Sequence, residues 1–224
     1  MCTDYHYLNE SIIKNLYPLP LILEIIDKVR KAKWFTKLDL WWGYNNVCIK
    51  EADEWKAVFA MHQGLFEPLV MFFRITNSLP TFHSMMNNIL KEETDCTVVI
   101  VFIDDVLIFT ESEEGHDEIV KKVLQKLKEN DLFLKAEKCI FGAAEIEFLE
   151  LIISPDRIKM DLIKVDVITS WPVSRQIKDV QVFLGLGNFY CWFIHNVSKI
   201  VFPLHNLTRK GVVWRWEKLQ QRTF

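Results

Sequence analysis

The sequence predicts an α+β domain followed by a smaller helical one, and three observations carry that expectation. Residues 97–110 read Thr-Val-Val-Ile-Val-Phe-Ile-Asp-Asp-Val-Leu-Ile-Phe-Thr. These are two β-branched apolar runs of strand length around an acidic pair, which predicts a tight hairpin turning at Asp104-Asp105. Residues 113–130 place Ile119, Val120, Val123, Leu124 and Leu127 on one helical face and leave Lys121, Lys122, Lys126 and Lys128 to solvent. From Asp161 onwards the pattern is mostly helical, with Pro172 separating two helices. Mixed strands and helices followed by a helical tail is the signature of an α+β domain with an appendage.

The remaining elements follow in order. Tyr17-Pro-Leu-Pro20 is a rigid lead into an amphipathic helix carrying Leu21, Ile22, Ile25, Ile26 and Val29. Trp34–Leu40 is β-prone and is broken at Gly43; Tyr44–Glu51 and Ala57–Phe59 read as strands. From Thr81 a helix is expected, with Phe82, Met85, Met86, Ile89 and Leu90 as its core stripe. Phe148–Ser154, Pro155-Asp156 and Arg157–Met160 read as a second hairpin.

Composition bounds the function classes. The chain has 224 residues, 50% of them hydrophobic and 25% charged, which excludes wholesale disorder. No apolar run approaches the roughly 18 residues of a membrane span, since Val98–Ile103 stops at Asp104. The first residues lack the basic start and apolar stretch of a secretory signal, so an intracellular site is expected, cytoplasm or nucleus being left open. Five cysteines, none in a C-x-x-C pair, predict buried free thiols rather than a disulfide or thiolate-metal framework. The sequons at Asn9, Asn196 and Asn206 are then chance matches. Residues 1–112 carry 10 Lys/Arg against 15 Asp/Glu, and the rest 17 against 15, for a net charge of −3. The basic excess of a simple nucleic-acid binder is missing, although a basic groove on a neutral surface remains compatible.

The acidic pair carries the chemistry. A carboxylate taken out of water costs several kcal/mol unless it is paired, hydrogen-bonded or holding a metal. Asp104-Asp105 is therefore either a solvated turn or part of a cation site. Asp39, ending Phe35-Thr-Lys-Leu-Asp-Leu40, adds a third acid framed by apolar neighbours. If that strand lies beside the hairpin, three carboxylates meet, a donor set that suits Mg²⁺ together with substrate phosphates.

Together these segments make the chain resemble, over essentially its whole length, the reverse transcriptase of gypsy-type long-terminal-repeat retrotransposons. The blocks that carry the likeness begin with Asp4-Tyr5…Leu8-Asn9, Tyr17-Pro-Leu-Pro20, Phe35–Leu40 with Gly43-Tyr44, and Trp55-Lys56. They continue with Thr76-Asn77…Thr81-Phe82, Phe102-Ile-Asp-Asp-Val-Leu-Ile-Phe109, Glu137-Lys-Cys139 and Phe148-Leu149…Ile153-Ser154. Trp171-Pro172 and Phe183-Leu-Gly185…Asn188-Phe-Tyr190…Phe193-Ile194 complete them.

The resemblance implies a right-hand polymerase palm, an antiparallel sheet with helices packed on one face. Partial fingers would occupy 1–36, the palm 37–154, and a helical thumb or connection 155–224, leading towards an RNase H region. It implies Asp39, Asp104 and Asp105 as the catalytic ligands of Mg²⁺ or Mn²⁺. Tyr44 falls at the aromatic gate against the ribose 2′-hydroxyl, and Phe73 and Arg74 at the nucleotide pocket. Phe148, Leu149 and Glu150 fall at the primer grip, and Lys138 near the pyrophosphate. The implied partners are an RNA or DNA template with its primer and deoxynucleoside triphosphates, with no membrane and with a larger polyprotein as the context left open.

Several positions depart from the family pattern. Phe102 stands for Tyr, Arg74 for a Gly beside the incoming nucleotide, and Glu150 for a Gly in the primer-grip hairpin. In Asn77-Ser-Leu-Pro-Thr-Phe-His83 the proline is moved by one position. His6 replaces an Arg, and Cys191-Trp192 a basic pair. The upstream fingers segment of the family does not precede Met1. A truncated, diverged copy is the expectation, either an active polymerase or an inactive relic that keeps only a nucleic-acid-binding palm.

Overall fold

The computed structural model describes residues 4–155 and 157–224, in one unit that ends at Ile158 and a second that spans Lys159–Phe224. Helices α1 (His6–Ser11) and α2 (Ile22–Val29) precede strand β1 (Trp34–Asp39). The hairpin β2 (Phe59–Met61) and β3 (Gly64–Phe66) follows, then α3 (Ser78–Ile89) and α4 (Lys91–Asp95). The central hairpin is β4 (Val99–Phe102) and β5 (Asp105–Thr110), followed by α5 (Glu113–Glu129) and β6 (Ile140–Ala143). Strands β7 (Ile146–Phe148), β8 (Leu151–Ser154) and β9 (Arg157–Met160) form a further sheet.

The main sheet is antiparallel in the order β4-β5-β1-β6. Strand alternation sorts its residues into two faces. Leu38, Val99, Val101, Val106 and Ile108 share one core with Phe82 and Met86 of α3, with Leu90 just after it, and with Val120, Val123 and Leu127 of α5. Helices α3 and α5 thus cover the same face, and each buried side chain of that kind contributes about 1.5–3 kcal/mol. The opposite face carries Phe35, Leu107 and Phe109, also buried, and ends in Asp39 and Asp105. Helix α4 is fastened to α5 through Glu93, 3% exposed, which meets Lys122 at 3.1 Å and Lys126 at 3.0 Å.

A buried polar chain ties β1 to its neighbours. Gly142, at φ +56°, sits where β6 slips register against β1, and its N–H donates to Thr36 Oγ1 at 3.0 Å. The Thr36 hydroxyl meets His116 Nε2 at 2.7 Å, and Thr110 Oγ1 meets Nδ1 at 3.0 Å. Thr110 spends its own proton on the Ser112 carbonyl, so His116 must donate from Nδ1 and accept at Nε2. His83 is likewise buried: Nε2 donates to the Val101 carbonyl at 2.9 Å, and Nδ1 accepts from Asn87 at 3.1 Å.

Several expectations are corrected. The turn of the central hairpin is Ile103-Asp104, and Asp105 already pairs in the ladder opposite Phe102 and Asp39. Tyr44–Glu51 is not a strand: a 3₁₀ turn spans Gly43–Asn46, and only Cys48 bridges, to Val70. Trp42 in the left-handed region, followed by Gly43 and two asparagines, favours that turn. Ala57 ends another 3₁₀ turn, so the strand expected at Ala57–Phe59 begins only at Phe59. Helix α3 starts at Ser78, which puts Pro80 in the first turn, where a missing N–H is tolerated. The Pro155-Asp156 turn includes Asp156, which lies outside the described residues. No helix among the described residues is long and apolar enough to cross a membrane.

The second unit contains α6 (Leu162–Thr169), α7 (Ile177–Phe189), α8 (Val197–Leu207) and α9 (Lys218–Thr223). Asp161 caps α6 by accepting the Ile163 N–H, and Glu217 with Gln220 forms a capping box on α9. Val180, Tyr190, Leu204 and Leu207 are buried, and Trp171, Phe183, Phe224 and Trp216 make a chain of ring contacts.

Burial holds both His83 and His116 below the ordinary value of 6.5. The folded protein therefore binds fewer protons than the unfolded chain in that range. The stability contributed is full above pH 6.5 and is lost as pH falls from there through the folded values. Urea unfolding at pH 7.5, 6.0 and 5.0 is expected to show decreasing stability, and His116→Gln to flatten part of that dependence.

Candidate active site

Asp39, the last residue of β1, lies directly opposite Asp105, the first of β5. Directly opposed residues of an antiparallel pair have Cβ atoms about 4.5–5.5 Å apart, and like charges there repel. Asp104 occupies the turn just before, where its carbonyl accepts the Leu40 N–H at 3.0 Å. Ile103, which opens the turn, has φ +55°, a conformation that two-residue hairpins normally give to Gly and that strains a β-branched residue.

Three ammonium groups offset the repulsion. Lys37 Nζ is 3.7 Å from Asp105 Oδ2; Lys135 and Lys138 lie 3.3 and 3.7 Å from the two oxygens of Asp39. Backbone pairing sets Lys135 in place: its N–H donates to the Asp39 carbonyl at 3.0 Å, and Leu134 bridges Leu40. Asp104 has no such cation at contact distance among the described residues. Burial, followed by the charge of Asp39, pushes the Asp104 carboxyl up. Burial also pushes Asp105 up, opposed by Lys37.

Tyr44 stands beside Asp104, 7% exposed, with ring centroids 5.5 Å from Phe82 and 5.7 Å from Phe73. Its phenol is pushed up to about 12, first by burial and then by the Asp104 charge. Gly43 makes this approach possible: a Cβ there would sit 2.7 Å from Asp104 Oδ1 and 2.9 Å from the Phe82 ring. Phe73 is 76% exposed. Arg74 is exposed on the same stretch, and its backbone lies outside the left-handed region, so the turn accepts it without strain. Its carbonyl accepts from Asn9 Nδ2 at 3.0 Å, while Asn9 Oδ1 takes the Thr76 N–H, which fastens the N-terminal segment here.

Phe148 is fully buried and pairs with Leu151 across a two-residue turn, Leu149-Glu150, with φ +53° and +62°. Both central residues being left-handed is the type I′ pattern that favours Asn-Gly or Gly-Gly. The hairpin approaches the acidic end through Lys37, whose Nζ is 3.5 Å from the Glu147 carbonyl as well as beside Asp105.

Residues 1–153 match the family model described as reverse transcriptase (RNA-dependent DNA polymerase). The chain belongs to the reverse transcriptase family. Among its relatives are the Tf2-3 and Tf2-7 transposon polyproteins of Schizosaccharomyces pombe, each 36% identical over 98% of this chain. The chain spans only 16% of the length of those retrotransposon polyproteins. A foamy viral protease-reverse transcriptase solved with double-stranded DNA superposes at a TM-score of 0.90, covering 98% of this chain and 39% of that one at 24% identity. The same viral enzyme with an RNA/DNA hybrid gives 0.85, covering 98% of this chain and 30% of that one at 24% identity. These structural likenesses are likenesses of fold.

Reverse transcriptases generally use a divalent metal, and the donor set here suits one. Carboxylate oxygens are the ligands Mg²⁺ and Mn²⁺ prefer. Asp39 Oδ1 and Asp104 Oδ1 are buried without a hydrogen bond, the former ion-paired only. Among the described residues no three acidic, histidine or cysteine side chains are gathered closely enough to hold one ion, and Asp39 and Asp105 lie 3.3 and 3.7 Å from lysine ammonium groups.

Two participants were not read from the sequence. Lys37 had a local signal, two residues before Asp39 and therefore on the same strand face. Lys135 had none, because only the long-range bridge to β1 brings it in. The cysteines also differ from expectation: Cys48 and Cys96 are exposed, and Cys139 and Cys191 half-buried, because they sit at turns and element ends rather than in strand cores.

Gly43→Ala is expected to lower stability by about 1–3 kcal/mol, the usual effect of overpacking, because the Phe82 ring cannot retreat. Glu150→Gly is expected to raise it by about 1 kcal/mol by relieving a left-handed glutamate. Urea denaturation midpoints check both.

Proposed function

We propose that this chain extends a primer 3′-hydroxyl with deoxynucleotides, copying an RNA or DNA template. The observation that carries the reading is the meeting of Asp39, Asp104 and Asp105 at one sheet end, with Tyr44 and Phe73 beside them. Those three aspartates would hold the Mg²⁺ or Mn²⁺. When bound, the metal supplies the positive charge that makes the attacking hydroxyl more acidic and neutralises the departing pyrophosphate.

The other roles belong to the chain's own residues. Tyr44, rigid between Phe73 and Phe82, closes the space in which a ribose 2′-hydroxyl would have to fit, and that hydroxyl is what separates RNA from DNA precursors. Its phenol stays protonated throughout the neutral range. Exposed Phe73, with the Arg74 guanidinium next in sequence, offers an aromatic edge and a cation to the incoming nucleotide. The Phe148-Leu149-Glu150 turn supports the primer end, and Lys37 couples that hairpin to Asp105. Lys138 is 59% exposed and able to meet the leaving pyrophosphate.

Purified protein given oligo(dT)-primed poly(rA), dTTP and Mg²⁺ is expected to extend the primer, and Asp104→Asn to abolish extension. The same substitution is expected to raise Tm at pH 7 in metal-free buffer. A carboxyl whose folded pKa is raised opposes folding once pH exceeds its unfolded value, and Asn removes that opposition. Absence of extension by the wild-type protein, with salt-sensitive primer–template binding retained, would instead favour a relic that only binds nucleic acid.

A further inference from the structure

Lys37 is the single basic residue of β1 and shares a strand face with Asp39, two positions on. Its partners across the sheet are Leu107 on β5 and Ile140 on β6, whose side chains give an ammonium nothing to pair with. The carboxylate it reaches lies on the diagonal, at Asp105, two residues before Leu107 and within range of a long side chain. The side chains of Lys37 and Asp105 are 22% and 28% exposed. The pair is therefore mostly out of water, where one unit of charge counts for more than it does at the surface.

Two acceptors share this ammonium. Asp105 Oδ2 is 3.7 Å and the Glu147 carbonyl of β7 3.5 Å from Nζ. An ammonium–carboxylate hydrogen bond settles at about 2.7–2.9 Å when nothing opposes it. Both separations are longer, so Lys37 spans two elements without binding closely to either. The contrast is with Lys122 and Lys126, which hold buried Glu93 at 3.1 and 3.0 Å and act as a fixed strut. Asp104 Oδ1 is meanwhile buried without a hydrogen bond, so the lysines leave the acidic end short of positive charge.

We propose that Lys37 is a positioning residue, the chain's own exchangeable counter-ion at Asp105. It yields that carboxylate to a divalent cation, and its ammonium then tightens onto the Glu147 carbonyl and steadies the β7–β8 hairpin. The inference rests on the proposed polymerase reading, in which Asp105 holds metal. It adds that metal occupancy at the sheet end and the hold on the hairpin are coupled through one side chain. Two consequences follow from the sharing. The apparent metal affinity is lowered by the fraction of chains in which Lys37 still holds Asp105. Removing the ammonium lifts that penalty, although it also removes charge that the metal-free fold uses against the Asp39–Asp105 repulsion.

The test is Mn²⁺ binding by the full chain without nucleic acid, read from the loss of the free-ion EPR signal. Lys37→Met, which keeps the stem and drops the charge, is expected to bind Mn²⁺ about tenfold more tightly, towards the lower end of what one unit charge contributes at such separations. Lys37→Arg should stay near the wild-type affinity. Lys128→Met, which removes an equal charge from the exposed face of α5, should leave it unchanged. Without metal, Lys37→Met should melt about 2–4 °C below the wild type, and saturating Mn²⁺ should close that gap. A less stable chain that binds metal more tightly is not what loss of a merely structural lysine produces. Amide hydrogen exchange across residues 146–151 should slow severalfold when Mg²⁺ is added to the wild type, and not in Lys37→Met.

Equal Mn²⁺ affinity in the wild type and Lys37→Met overturns the inference. So does equal tightening by Lys128→Met, or hairpin exchange in the wild type that ignores Mg²⁺. Should Lys37→Met fail to fold, Lys37→Gln takes its place, and the exchange measurement on the wild type decides by itself. Primer extension in parallel keeps the two readings apart. Extension with Mn²⁺ affinity independent of Lys37 defeats only the counter-ion role, and Lys37-dependent affinity without extension defeats only the polymerase. No Mn²⁺ binding by any of these chains defeats both.

Discussion

Everything at the acidic end of this sheet depends on tolerating two carboxylates placed face to face. The β1–β5 register sets Asp39 against Asp105, and no rotation of the backbone can separate them without breaking the ladder. Lysines absorb part of the repulsion, and each is delivered by a different route. Lys37 comes from the same strand, Lys135 from a segment clipped to the end of β1, and Lys138 from the turn after it. Asp104, which has no cation at contact among the described residues, has a carboxyl that burial and the Asp39 charge disfavour as an anion. A site arranged this way is stabilised by whatever brings positive charge to it.

The sequence made much of this legible because the strongest signals were local. The run 97–110 could hardly be anything but a hairpin, and the 3.6-residue spacing of Val120, Val123 and Leu127 placed a helix to within a residue of its observed ends. The family blocks were legible because they are short stretches in a fixed order, and they brought the palm with them. The misplaced turn at Asp104-Asp105 has a simple cause. Two acids look like turn chemistry, but Ile103 is the residue driven into the left-handed region, and side-chain type gave no warning of it.

What could not be read is what only pairing between distant segments creates. Lys135 reaches Asp39 through a backbone hydrogen bond spanning nearly a hundred residues. The crowding around Gly43 requires Asp104 and Phe82 to converge from two other elements. Tyr44–Glu51 alternates well enough to suggest a strand, yet packing of Tyr44 between Phe73 and Phe82 and the left-handed Trp42 favour a 3₁₀ turn. At Glu150 the structure supplies the reason for the family's glycine, a positive φ, which the sequence could register only as an unexplained substitution.

The irregular seam between β1 and β6 has one more consequence. Strand β6 is a border strand of the main sheet and carries Ile140 and Phe141 largely in water, so a regular ladder there would offer a foreign chain an apolar template. Gly142 bends that border out of register, and its N–H turns inward to a threonine hydroxyl instead of outward to solvent. The slip thereby guards a sticky margin against unwanted strand addition, using a single hydrogen bond that Thr36 of β1 accepts.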